Sequence, residues 1–526
     1  LDGIVGSVFV GNKMYSDMTA SVGNRDVGGG GAGWVNLTKL ESSLFADNFV
    51  QGHHAFGGGL FVYSLGAVTD SVFHNNIIES DHDAYGGGIM SSGGIAGISR
   101  SIFVGNEARG LEFGLGRTAG VKGGAVYTAP RTGNGIGLID ASLFAYNRAY
   151  NNTGEEAMGG AVYVALQMDR IKDSVFYGNS AESNGDAFGG AIALDVNGPG
   201  MQTTISDSLF MNNFVLSKGA GGGGALSINT TTAAATQYTL NIEATNGAVT
   251  EFSGNTHNGE ANSIYIGKHA ETGTNQTDVT LNINAARGGL ISLLDPIRVD
   301  LNNGKTFTMV NKSAGRFVWD GINDLSADGG STLLFQSGSN ALFEKGFHLH
   351  STAGNPIGLN LDNGAKLSVV LSGRNQNMAL FEDTAVSNDA GASLTAQYYG
   401  FVDYQGSWVV FDHDAAAQGT NLALMDQVDR QTGAASHLSL STSGNKTLVN
   451  LDYRAPSASF AAAGPNARRG SGALQAIWSR LLVPNLNGEQ RAAYLSQILG
   501  DLRNFKAEAF ATQGTCPVTT SEAPGD

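Results

Sequence analysis

The sequence predicts an all-β fold, a right-handed single-stranded parallel β-helix (solenoid) with a short helical C-terminal segment. Three observations carry this: two short signatures alternate along the first half, they recur at a spacing near thirty residues, and the composition suits strands and tight corners. The first signature is Phe-x-x-Asn, at Phe9/Asn12, Phe45/Asn48, Phe73/Asn76, Phe103/Asn106, Phe144/Asn147, Phe176/Asn179, Phe210/Asn213 and Phe252/Asn255. The second is a glycine run leading into an apolar strand, as in Gly57-Gly58-Gly59-Leu60, Gly86-Gly87-Gly88-Ile89, Gly123-Gly124-Ala125-Val126, Gly159-Gly160-Ala161-Val162, Gly189-Gly190-Ala191-Ile192 and Gly223-Gly224-Ala225-Leu226. Glycine contributes 75 of 526 residues, and charged residues only 14% against about a quarter in ordinary globular chains.

If each copy is one coil, stacking gives each residue type a task. The Phe side chains form an internal aromatic column, and the Asn side chains form an amide ladder at a corner. Glycines serve where φ is positive or where coils approach too closely for a Cβ. Parallel crossovers are right-handed almost without exception, hence the handedness. Helical repeats would need apolar residues at i, i+3 and i+4 over ten or more positions, and residues 1–455 show no sustained example.

Ser stands two residues before Phe in the first seven copies, yet Ile171, Val175 and Phe176 break a strict two-residue alternation. A bend or bulge around Asp173-Ser174 would turn both Ile171 and Phe176 inward. If Ser174 also points in, the serines make a small-residue column, and the sequence leaves that choice open.

In chain order, residues 1–230 hold the repeats, with insertions such as Glu107 to Lys122 expected as surface loops. Residues 231–455 continue the β-helix with smoother, shorter coils, including Tyr238–Ile242, Val279–Ile283, Leu367–Leu371 and Ser407–Phe411. Residues 456–526 read as a linker followed by helices, with Leu474, Ile477, Trp478 and Leu481 on one stripe before Pro484, and Leu495, Ile498, Leu499 and Leu502 on a second after a cap at Asn487.

Net charge is 30 − 46 = −16, which argues against nucleic acid as a partner. The single cysteine, Cys516, permits no intrachain disulfide. The chain opens at Leu1 already inside a repeat, with no visible signal peptide or apolar membrane span, and so reads as a fragment cut at both ends.

The interleaved Gly-Gly-Ala and Phe-x-x-Asn motifs resemble the repeats of polymorphic outer membrane proteins and related autotransporter passenger domains. The stretches Ala261–Ile266, Gly288–Ile291 and Asp295–Ile297 look like the passenger segment after such repeats, and the helical region after 465 is similar to the segment joining passenger to translocator. The resemblance implies type V secretion and a virulence-associated, extracellular location at a Gram-negative surface. It also implies adhesion to a host surface protein or glycan, and an outer-membrane β-barrel translocator, its own or separate. The chain ends at Asp526 without room for that barrel, so the resemblance implies an anchor that is absent from this chain.

Catalytic signatures are missing: there is no Gly-x-Ser-x-Gly, His-Glu-x-x-His, phosphate-binding loop or Cys-x-x-Cys. No catalytic residue, no cofactor and no enzyme activity is therefore expected. The metal candidates are His54 and His82. His53-His54 follows Phe45 by eight and nine residues and Asp81-His82-Asp83 begins eight after Phe73, so adjacent coils would bring imidazoles and carboxylates together; the alternative is two solvated loops. Asp320/Asp324/Asp328 and Asp412/Asp414 are the acidic clusters to weigh for glycoside chemistry. The expectation is a surface passenger and adhesin; the alternatives are a β-helix polysaccharide lyase or hydrolase and a structural stalk.

Overall fold

A computed structural model describes residues 2–453 except 17–25, 29–31, 112–119, 130–134, 197–199, 232–236, 270–273, 373–375, 377, 399–403, 414–422 and 426–436. The helical segment expected after residue 465 lies outside the described residues. Three sheets, one of 25 strands and two of 14, are built almost wholly from parallel pairs between successive coils. An early coil runs along the long sheet (Leu60–Thr69), the Phe sheet (Val72–His74) and a third sheet (Ile77–Tyr85), then re-enters the long sheet at Ile89–Ser91. This is the parallel β-helix that the repeat predicts.

The Phe sheet fixes the register. Phe9, Phe45, Phe73, Phe103, Phe144, Phe176, Phe210 and Phe252 pair in an unbroken series. Their ring centroids lie 4.6 to 4.9 Å apart. That interval is the spacing of hydrogen-bonded strands, so the backbone ladder sets it and the rings follow. The same file continues without the motif through Leu293, Trp319, Phe343, Val369 and Ala396.

Three corners per coil make the path close, and each carries one left-handed residue. At the first, the residue before the repeated serine has positive φ, as at Asp70 (50°), Arg100 (47°), Ala141 (46°) and Asp173 (46°). This resolves the open question about Ser174: the chain bends at Asp173 and the serine turns inward, fully buried. Each buried Ser Oγ donates to the carbonyl two residues before it and accepts the N–H of the serine one coil earlier, for example Ser142 N to Ser174 Oγ at 3.1 Å. At the second corner the residue before Asn is left-handed, and the asparagines form the ladder. Asn147 Nδ2 donates to Asn179 Oδ1 (2.9 Å) and Phe103 O (2.9 Å), while its Oδ1 accepts Asn106 N (3.0 Å) and Asn106 Nδ2 (3.0 Å). All four hydrogen-bonding sites of a buried amide are thereby used, which removes the cost of burying it.

The glycine run makes the third corner. Its first glycine has φ near +65°, and at the second of the first five runs a Cβ would sit 2.1 to 2.4 Å from a carbonyl of the next coil, as at Gly124 against Gly160 O (2.1 Å). At the third position the approach is looser, a Cβ on Gly59 or Gly88 lying 2.8 Å from a carbonyl, and in the later runs Ala125, Ala161, Ala191 and Ala225 occupy it fully buried.

Two features depart from a uniform solenoid. The third sheet ends in an antiparallel hairpin, Thr256–His257 against Glu260–Ala261, turned at Asn258 and Gly259 with both φ positive. Without that face the coils shorten, from the 28- to 42-residue ladder separations of the repeats to about 26 residues between Phe-sheet neighbours such as Leu293 and Trp319. At the other end of the described residues Tyr404–His413 and His437–Ser443 pair antiparallel with Lys446–Tyr453. The insertion Glu107 to Lys122 also differs from the expected surface loop. Its ends, Glu107–Gly110 and Gly120–Lys122, are strands of the third sheet, because Ala108 and Val121 each supply a buried side chain to its core.

The amide ladder stops at Asp295, whose carboxylate accepts Gly254 N, Asn255 N, Asn255 Nδ2 and Ser263 Oγ at 2.8 to 3.2 Å. An acceptor-only side chain ends the series without leaving a buried donor unpaired. Burial raises its pKa above the ordinary 3.8, against the lowering effect of these hydrogen bonds. The folded protein therefore holds this proton more tightly than the unfolded chain, and ionisation above the folded pKa costs stability that is recovered as pH falls toward the unfolded value. Acidifying from pH 7 to pH 4 is expected to improve wild type relative to Asp295→Asn in denaturant unfolding; a relative loss would contradict this. In the ladder itself, Asn147→Ala leaves Asn106 N and Nδ2 buried without an acceptor. At roughly 1–3 kcal/mol per unpaired group, it should lower unfolding free energy by at least about 2 kcal/mol, while exposed Glu155→Ala changes it by less than about 0.5 kcal/mol.

Candidate functional site

The outward face of the third sheet carries charged, histidine and aromatic rows. In the first, Arg109 bonds Glu79 (2.8 Å) and Glu107 (2.6 Å), and Arg148 also reaches Glu107 (3.1 Å). The glutamates of these pairs are 12–14% exposed and the arginines 32–37%, and together they link successive coils across the outer face. In the aromatic row Phe56 packs on Tyr85 with centroids 5.6 Å apart. Between them lie the histidines.

Strands Phe49–Phe56 and Ile77–Tyr85 pair in register from Ile77 to Ser80 and again from Asp83 to Tyr85, with a shift between. The lower coil has one more residue than the upper between its ladder Asn and its corner Gly, and the surplus forms a β-bulge at Asp81-His82 opposite His53. Buried Ser80 holds the bulge: its Oγ donates to His53 O (2.6 Å) and accepts His82 N (2.9 Å). The result is a triad. His53, His54 and His82 place one ring nitrogen each within 4.8 Å of the others, and the rings of His54 and His82 are 4.3 Å apart.

Carboxylates stand behind the imidazoles. His53 Nδ1 is 2.7 Å from Asp81 Oδ1, and His54 Nδ1 is 2.9 Å from Asp83 Oδ2. His82 Nδ1 is 3.1 Å from the same Asp83 oxygen but out of line for a hydrogen bond, so both it and the buried Asp81 Oδ2 lack one. Asp83 is held in turn by the Tyr85 hydroxyl, which donates to Oδ1 at 2.8 Å. Burial, with the charge of Asp83 second, raises the Tyr85 pKa far above its ordinary value and keeps that donor protonated. A carboxylate engaging Nδ1 fixes the ring orientation and leaves Nε2 as the nitrogen that can bind a cation.

No protein-family model matches this chain, and no curated protein or solved structure matches it.

The sequence placed His54 beside His82, and the structure brings them together, adding His53 at the same distance. The acidic clusters are not gathered in this way. Asp320 accepts Gly321 N (2.9 Å), Asp328 accepts Asn303 N (3.0 Å), Asp324 is bonded by Thr352, and Asp412 pairs with Lys446 (3.4 Å); Asp414 lies outside the described residues. These carboxylates tie turns and strand ends.

A second concave site was not anticipated. Where the third sheet stops, a cleft of about 500 Å³ opens, lined by His257, Glu260, Arg298, Ile322, Asp324 and His350 among others. Arg298 and Asp324 are register neighbours. Burial lowers the pKa of both imidazoles, reinforced by Arg298 at His257 and by His348 at His350, so both are neutral at pH 7. Ile322 is 57% exposed there. Asn258-Gly259, a strong hairpin dipeptide, was the sequence signal for the place where the face is lost.

Proposed function

We propose that this chain is the displayed passenger of a type V secretion protein, non-enzymatic, binding a host surface protein or glycan outside a Gram-negative cell. The observation that supports it is the coil-on-coil ladder itself. Each coil is completed by hydrogen bonds to its neighbours alone, and Cys516 is the only cysteine. Such a fold can form progressively as coils emerge through a pore, with no disulfide to close and no distant contact to await. The outward rows of the third sheet and the cleft beyond it supply the polar and apolar surfaces for binding.

One observation favours a second reading, a glycan-cleaving β-helix: the cleft holds two carboxylates, Glu260 and Asp324, with the Arg298 cation. The two readings separate experimentally. When the gene is expressed in its Gram-negative host, external protease should remove an epitope inserted at the exposed bend between Gly154 and Glu155 from intact cells. Purified protein should bind host cells saturably and leave glycan chain length unchanged. Protection of the epitope until lysis contradicts display, and shortened glycans, lost in Glu260→Gln, would establish the second reading.

A further inference from the structure

We propose that His53, His54 and His82 bind one zinc-class divalent transition cation, with a fourth coordination position open to water or to an external donor. The sequence offers His54 and His82 as metal candidates; the structure adds His53 and the support of Asp81, Asp83 and Tyr85, and the site stands whether or not the chain is a displayed passenger.

Three independent features point to a cation. Donor geometry comes first: three imidazole nitrogens lie within 4.8 Å of one another across two coils. A tetrahedral zinc with bonds of 2.0–2.1 Å needs its nitrogens about 3.3 Å apart. The closing movement falls to His82, which sits on the bulge with 41% of its side chain exposed, whereas His53 and His54 are 15% and 12% exposed. Second, the supporting shell is already in place, since Asp81 and Asp83 engage the Nδ1 atoms and Tyr85 secures Asp83. Histidines that ligate metals are oriented in this way. Third, Asp81 is 2% exposed and its Oδ2 has no hydrogen-bond partner. With Oδ1 taken by His53, the buried Oδ2 is an unfilled acceptor whose negative charge a cation on the adjacent imidazoles would offset.

The ligand set also selects the metal. Imidazole nitrogens favour zinc, copper or nickel over calcium or magnesium, which take oxygen. Three protein ligands rather than four leave a position for exchange, as in open zinc sites and unlike closed structural ones. Because His53-His54 and His82 belong to successive coils, the ion would also clamp the bulge.

The test uses tag-free, chelator-treated protein titrated with ZnCl2 by calorimetry, and with Co²⁺ by visible absorption. One equivalent is expected to bind per chain, with cobalt bands of the intensity of a four-coordinate site and a zinc-dependent rise in melting temperature. His82→Ala and His54→Ala should each weaken zinc binding at least tenfold and abolish the rise, and Asp83→Asn should weaken it 10- to 100-fold. His82→Ala, which removes the most exposed of the three rings, should melt with wild type in chelator, which separates a lost ligand from a lost fold. Absence of stoichiometric zinc binding, or binding that His82→Ala leaves unchanged, would overturn the proposal.

Discussion

The constraint on which the structure depends is that adjacent coils lie one hydrogen-bonded strand spacing apart, so every side chain meets its equivalent at that interval. A flat ring tolerates this repetition, because offset rings in equal rotamers keep contact along the column. An amide tolerates it better than any other buried polar group, since its donor and acceptor ends match those of its copies above and below. Charged groups do not tolerate it inside: the inward Phe column carries none, and a carboxylate enters the asparagine ladder only at Asp295, where the repeat ends. The sequence repeats because the neighbour relation repeats.

Corners are the second requirement, and they explain which parts of the fold were legible. The third corner combines positive φ with a carbonyl at 2.1 to 2.4 Å from any added Cβ, so only glycine serves and the motif is plain. At the first corner the left-handed residue varies among Ser42, Asp70, Arg100, Ala141, Asp173 and Asp207, the first three exposed and Asp207 buried against Thr245. With no single residue type required, no motif appears, and the inward turn of the following serine could not be read from alternation. After residue 261 the Phe position accepts Leu293, Trp319 and Val369, since a two-sheet coil packs a more irregular core; the strands stayed readable while the motif did not.

The histidine triad shows the same limit at the scale of a site. Counting from one Phe to the next places His54 near His82, but it assumes equal coils. Only the extra residue between Asn76 and Gly86 reveals that a bulge swings His82 across His53 and His54. Regular coils position side chains by default, and both candidate sites lie where that regularity is interrupted: at the bulge, and at the cleft left when the third sheet stops. The backbone there departs from the ladder and brings together side chains that strict register would hold apart, as where His82 reaches both His53 and His54.

The register of one coil on the next is tested most directly by paired cysteines in a Cys516→Ser background. Thr69→Cys with Ser99→Cys, which are direct partners on the long sheet, should form an intramolecular disulfide under mild oxidation. Thr69→Cys with Asp140→Cys, two coils apart, should not. Efficient bridging of the second pair, or failure of the first in a folded protein, would contradict the stacked-coil account.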